Sequence, residues 1–244
     1  MKIDRLSLFL GKPIKFNGVK LYSPTIEEIE EIGEIEYQIN FLFSIFDKES
    51  ILTKLFSIPS ESYDEIEDED DFEILVGHST LINHICSSIS FFVKNEIHYN
   101  SAKQVFCLKT SMQNGSVELI DFINKDNYKE FVEHIYFING NEKPEKKEFK
   151  NDRVKKKYRE MMKAKAQHNK GNTFDLKDVL SVLCDAEGNG INIFNVSNLT
   201  IYQVYERFER LNIKEKHRRM LKVWSNGLLK ENDKLPEWIT KTKL

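Results

Sequence analysis

The sequence predicts a mainly α-helical α+β protein: a helical bundle with a small N-terminal β-hairpin and charged linkers. Three observations predict it. Apolar residues recur at helical spacing over several long stretches. Phe and Tyr number 17 and 9 against 10 Gly and 5 Pro, a balance that favours long regular elements over loops. Near the start, an Asn-Gly pair separates two short alternating runs.

Taken in order, Ile14 to Phe16 and Val19 to Leu21 flank Asn17-Gly18, which accepts the positive φ angles of a type I′ turn. Two strands alone are marginal, so this hairpin must pack on helices. Thr25 with Glu28 makes a capping box and opens a helical stretch reaching about Phe56. Its apolar face runs through Ile26, Ile29 and Ile32, then Leu42, Ile45 and Phe46. Glu27, Glu28, Glu30 and Glu31 sit near the positive end of the helix dipole. Breaks are expected near Gly33 and around Asp47 to Ser50, and Pro59 closes the block.

From Glu61 to Glu73, nine of thirteen residues are acidic. Such repulsion predicts an exposed, solvated loop, with a docking surface for a basic partner as the alternative. Phe72 to Phe92 reads as a further helical stretch through Leu75, Leu81, Ile82, Ile85 and Ile89. Residues 97–119 are mixed: Val105 to Thr110 and Ser116 to Ile120 around Asn114-Gly115 read as a second hairpin or a flanking helix. Asn127 is placed to cap a helix through Phe131, Val132, Ile135 and Tyr136, stopped by Asn139-Gly140.

Composition then shifts. Lys143 to Lys170 holds twelve Lys/Arg against four Asp/Glu, a local net of +8, and predicts a linker followed by an exposed helix over residues 154–167. Phe174 to Leu183 reads as helix, Asp185 to Asn195 as a Gly/Asn turn, Leu199 to Leu211 as a helix with Asn198 as its N-cap, and His217 to Leu229 as a last helix. The chain thus divides into a hairpin and helices (1–60), an acidic linker (61–73), a central mixed region (74–142), a basic linker and helix (143–172) and a helical region (173–244). No internal repeat is evident.

Bulk properties exclude several classes. At 244 residues, 40% hydrophobic and 31% charged, the chain is ordinary for a soluble protein of one domain or two small ones. A net charge of −3 gives the whole molecule no bias towards nucleic acid or membrane. Cys86, Cys107 and Cys184 are scattered, odd in number and without metal-ligand spacing, so reduced thiols and a cytoplasmic location are expected. The opening residues hold too short an apolar run for a cleavable signal, and no run reaches the ~18 apolar residues of a membrane span.

The catalogue of chemistry is thin. Asp185 to Gly190 imitates the start of an EF-hand loop, but the twelfth position is Val196 rather than a bidentate Glu, which predicts a turn and no bound metal. His78 and His84 are six apart, the wrong interval for two imidazoles on one helix face. No nucleophile elbow or phosphate-binding loop is present, so neither an enzyme nor a cofactor is expected. The basic residues Arg153, Lys155, Lys156, Lys157 and Arg159, with Tyr158 among them, could neutralise phosphates and stack on a base. A solvated helix, or one paired with the acidic segment, is the reading the near-neutral whole favours.

The most informative stretch is residues 198–211, NLTIYQVYERFERL. Leu199, Tyr202, Tyr205 and Phe208 recur at helical spacing with Ile201 and Val204 beside them, while Gln203, Glu206, Arg207, Glu209 and Arg210 fall on the other side. Such a face is a core face or, with its aromatic hydroxyls, the wall of an interface.

In wording, this stretch resembles a segment of the tail assembly chaperones of long-tailed phages and prophages of Firmicutes. Residues 23–34, SPTIEEIEEIGE, followed by Tyr37, resemble that family's opening block, and residues 120–135, IDFINKDNYKEFVEHI, resemble a third. The resemblance implies a non-enzymatic protein of the host cytoplasm that binds the tape-measure protein, keeps it soluble and is displaced as tail-tube subunits polymerise. Expected partners are therefore the tape-measure protein, the tail-tube protein and further copies of the chain, with no membrane. The client-binding residues on this reading are Ile26, Ile29, Ile32, Ile201, Tyr202, Tyr205 and Phe208. The alternative is a nucleic-acid-binding phage accessory protein that uses the basic 153–159 segment.

Overall fold

The computed structural model describes residues 3–111, 117–144, 151, 153–154, 157–158, 160–161, 174–228 and 235–244. Helix α1 (Arg5–Phe9) leads into strands β1 (Ile14–Phe16) and β2 (Val19–Leu21). They pair antiparallel about Asn17 and Gly18, whose φ angles of 45° and 85° are those the turn requires. Ile14, Phe16, Val19 and Leu21 all face inward. Phe16 lies edge-on to Phe131 and His134, so the hairpin is fastened to a helix far along the chain.

Helix α2 (Ile26–Ile32) starts at the Thr25–Glu28 capping box and stops at Gly33, where φ is 87°. Helix α3 (Glu34–Ser44) follows and packs on α7 (Ser79–Val93), where the Ser88 hydroxyl donates to Asn40 Oδ1 at 3.0 Å. Between them lie α4 (Lys48–Ser50), a π-helical turn (Ile51–Leu55), α5 (Ser60–Ile66) and α6 (Asp71–Val76). The stretch expected to be helical over 72–92 is therefore two helices, separated at Gly77 and His78.

The acidic segment, expected as a loop, is thus largely helical, and the reason lies elsewhere in the chain. Lys48 is buried, and its ammonium donates to the carbonyls of Ile66, Glu67 and Glu69 at 2.7, 3.0 and 2.6 Å, with Asp71 Oδ1 at 3.4 Å. One cation thereby satisfies the carbonyls between two helices and offsets the carboxylate repulsion around them. Asp70 caps α6 through the amides of Phe72 and Glu73 and accepts the Tyr128 hydroxyl at 2.9 Å.

Strands β3 (Ile97–Asn100), β4 (Val105–Ser111) and β5 (Val117–Ile123) form an antiparallel sheet in that order. The expected turn at Asn114-Gly115 lies outside the described residues. Phe106 of this sheet packs with Phe46, Phe72 and Tyr99, with ring centroids 4.8–6.0 Å apart. With two antiparallel sheets the protein is an α+β mix, and a helical bundle with only an N-terminal hairpin is not what forms. The cause is the buried run Val105, Phe106 and Leu108, with Phe106 paired to Ile123 and Leu108 to Ile120 on β5, residues that fit a pleated half-buried surface.

Helix α8 (Tyr128–Ile138) begins after Asn127, whose side chain does not cap it. Asn127 instead accepts from the Asn124 amide and donates to Phe122 O, tying the helix start to β5. The 174–228 region holds α9 (Leu176–Asp185), a 3-10 turn (Val196–Asn198) and α10 (Ile201–Ser225). Asn198 is not the cap of α10: Thr200 is, in a capping box with Gln203. The two helices expected over 199–211 and 217–229 are one, because nothing between Leu211 and His217 stops a helix. Among the described residues no helix is long and apolar enough to cross a membrane.

Candidate partner-binding site

Helices α2 and α10 begin side by side. Thr25 and Thr200 form an isolated antiparallel bridge in which the Ile26 amide donates to Leu199 O at 2.9 Å and the Ile201 amide to Pro24 O at 2.8 Å. The Tyr202 amide donates to Ser23 Oγ at 3.2 Å. The first turn of a helix has amides with no partner of its own; here each helix start supplies acceptors for the other. The two starts also share a pattern, Thr-Ile-x-Glu/Gln-Ile/Val, so Ile26 answers Ile201, Glu28 answers Gln203 and Ile29 answers Val204. That similarity is short and separated by most of the chain, which is why no repeat shows in the sequence.

The candidate face is built on this bridge. Ile26, Ile29, Ile201 and Val204 are buried together with Val179 and Leu183 of α9, and Tyr205 and Phe208 pack on that cluster. Tyr202 lies in the larger core, with its ring 5.6 Å from Phe137. Ile32 stands apart at the rim, more than a third exposed. The two faces named from sequence thus lie against one another.

Tyr205 also meets the end of α8. Gly140, at φ 68°, passes so close that an added Cβ would lie 2.8 Å from Tyr205 Cβ and Cδ2. Next to it, Asn139 donates to Ile135 O at 2.7 Å and accepts the Tyr37 hydroxyl at 2.8 Å. Burial, with Tyr205 and Glu34 close by, holds the Tyr37 phenol protonated far above its ordinary range. Burial likewise raises Tyr202 and Tyr205. Of the three, the Tyr37 hydroxyl is a structural donor, to Asn139.

What stays open lies beside this cluster. Phe174 stacks on Phe208 at 5.7 Å yet is 58% exposed. In the Asp185 to Asn195 turn, Ile193 and Phe194 are 76% and 90% exposed. The turn is held by its own asparagines: Asn189 donates to Leu183 O at 2.7 Å, Asn195 donates to Gly190 O at 2.9 Å and accepts the Asn192 amide at 2.8 Å. A cleft of about 290 Å³ between α9 and α10 is lined by Val182, Ala186, Leu211, Lys214 and Arg218, among others. Sequence reading passed over Phe174, Ile193 and Phe194; the available signal was an Ile-Phe pair set among asparagines in a turn.

Of the basic residues, Arg153 and Lys157 are exposed, while Lys155, Lys156 and Arg159 lie outside the described residues. Among the described residues, no three His, Cys, Asp or Glu side chains gather as a metal site would need.

Residues 164–243 match the family model described as the YomV second domain. This is a phage- and prophage-associated family, and the similarity is consistent with a phage origin. The YomV-like span covers less than half of the chain, taking in α9, the 193–194 turn, α10 and most of the segment after it. It therefore holds one side of the Thr25–Thr200 bridge and receives the other from the N-terminal part. No curated protein and no solved structure matches the chain.

Proposed function

We propose that this protein is a phage tail assembly chaperone, non-enzymatic, which binds the tape-measure protein, keeps it soluble and gives it up as tail-tube subunits polymerise. The observation that carries the reading is a convergence. All three stretches that resemble those chaperones lie within one connected region: 23–34 meets 198–211 at the Thr25–Thr200 bridge, and Tyr202 of 198–211 shares the main core with Phe131 and Ile135 of the 120–135 stretch. The similarity of residues 164–243 to a phage-associated family supports the same source.

The client surface follows from what is buried and what is not. A tape measure exposes long amphipathic helix whose apolar stripe aggregates unless covered. Ile26, Ile29, Ile201 and Tyr202 are spent on the protein's own packing, so they hold the platform, and Phe174, Ile193, Phe194 and the Val182 cleft present apolar surface from it. A helix laid across this rim has anchors to engage. Each contact is small, and many copies on one long client supply the avidity.

The test is co-expression with a very long helical protein encoded just downstream. Soluble, co-purified client, lost on I193S/F194S substitution with unchanged circular dichroism, is the expected result. Client that stays insoluble beside abundant natural protein overturns the reading.

A further inference from the structure

Residues 235–244 fold back along α10 as an extended strap. His217 Nδ1 lies 2.5 Å from Pro236 O, Arg210 donates to Thr240 O at 2.7 Å, and Glu209 accepts the Lys243 amide at 3.0 Å. At the far end, Arg5 of α1 donates to both the carbonyl and the hydroxyl of Thr242 at 3.1 Å. Thr242 and Leu244 are buried, and Leu244 joins the main core that includes Leu8 and Tyr202. Between and before them the side chains of Lys241, Lys243, Trp238 and Ile239 face solvent.

This is a peptide site with an occupant in it. Cations on α10 and α1 take strap carbonyls, a carboxylate on α10 takes strap amides, and one leucine enters an apolar socket. The strap is also separable: these contacts run to α10, α1 and the socket beneath them, and six of its ten residues are exposed, with Thr242 and Leu244 the buried ones. Segments that bury few side chains and leave most residues in solvent open at low free energy. When the strap opens, the groove between α1 and α10 is vacant, and the segment on hand that fits it residue for residue is the strap of another copy.

We infer that the α1–α10 groove accepts residues 235–244 of a second copy, linking chains by strap exchange. The same Arg5–Thr242, Glu209–Lys243 and Leu244 contacts form across two chains, and the cis strap competes through its high effective concentration. The inference rests on the strap's own contacts and does not need the chaperone reading.

Two full-length variants test it. Arg5→Ala spoils the groove and leaves the strap intact, whereas Leu244→Asp spoils the strap and leaves the groove intact; Glu209→Ala serves as a second groove variant. Light scattering after chromatography is expected to show each variant alone as a monomer. An equimolar mixture of Leu244→Asp with either groove variant is expected to shift to a 1:1 heterodimer, and a synthetic 235–244 peptide is expected to dissolve that heterodimer. If the mixtures stay monomeric while circular dichroism shows every variant folded, strap exchange is wrong. Heterodimer that the peptide leaves intact places the contact elsewhere and equally overturns it.

Discussion

Thr25 and Thr200 each cap a helix and also pair with each other, so two capping boxes far apart in the chain meet in a single bridge. Loss of either hydroxyl removes a local cap, typically worth about 1 kcal/mol. Because each helix start also supplies acceptors for the other, the two losses are coupled. Urea unfolding of Thr25→Ala, Thr200→Ala and the double variant is expected to give a double-variant loss that differs from the sum by at least ~0.5 kcal/mol. Strict additivity would show the bridge to be incidental.

Gly140 and Tyr205 offer a sharper contact. A Cβ at Gly140 must both tolerate φ 68° and displace the ring that sits 2.8 Å away. Gly140→Ala is expected to destabilise by more than ~1 kcal/mol. Shortening Tyr205 to Ala in the same chain removes the ring but leaves its Cβ, also 2.8 Å away, and the backbone strain, so only the ring's share of the Gly140→Ala penalty should vanish in that background.

Tyr202 reads as core rather than contact surface, since it is 1% exposed. Tyr202→Ser is expected to lower stability by roughly 3–5 kcal/mol, the range for emptying a buried aromatic site. Phe194→Ser, at a residue 90% exposed, is expected to leave the melting temperature within a degree or so, surface changes being small. A client-binding assay interpreted through Tyr202 would therefore report unfolding.

Asp70 sets part of the acid limit. Burial pushes its carboxyl up, but the Tyr128 hydroxyl, the amides of Glu73 and Phe72 and the nearby Lys129 together hold it below its ordinary value. An aspartate in the unfolded chain titrates near ~3.9. Asp70 therefore contributes stability that is fully present above that pH and is lost as pH falls through its lower folded value. Asp70→Asn is expected to flatten the acid limb of the stability curve between pH 5 and 2, measured by thermal unfolding, with the neutral-pH difference reflecting the lost cap.

Cys86 and Cys107 should be sluggish nucleophiles. Burial pushes both thiols up to about 11, with the Asp121 carboxylate 3.1 Å from Cys107 Sγ adding to the effect there. At pH 8 roughly one in a thousand of each is thiolate, the reactive form. Iodoacetamide labelling followed by peptide mass mapping is expected to be slow at both positions in the folded protein and far faster in urea at the same pH.

Local chemistry was legible in the sequence and tertiary chemistry was not. The Thr25–Glu28 box, the Asn17-Gly18 turn and the stop at Gly140 depend on residues within a few positions, and each stands where the pattern put it. Asn198 misled because any Asn before an apolar run can cap; Thr200 wins since Gln203, three residues on, returns the bond to its amide. The β4–β5 hairpin is one of the two readings that residues 105–120 allow, whereas the pairing of β3 with β4 rests on partners that no local period reveals. The same holds for the apolar faces: Ile26, Ile29 and Ile201 are visible as a face in sequence, but that they would close on each other is decided by the bridge.

Lys48 has a consequence for the acidic surface it supports. With its ammonium held among three carbonyls and Asp71, the carboxylates of Asp68 and Glu69 are exposed on a folded segment, and Glu73 beside them pairs with Lys125. A basic ligand meeting this ridge has no chain-ordering entropy to overcome, as it would with a floppy polyanion of the same composition. The affinity of such a ligand would then depend on the spacing of its own cations, a dependence on geometry that an unstructured acidic stretch would lack.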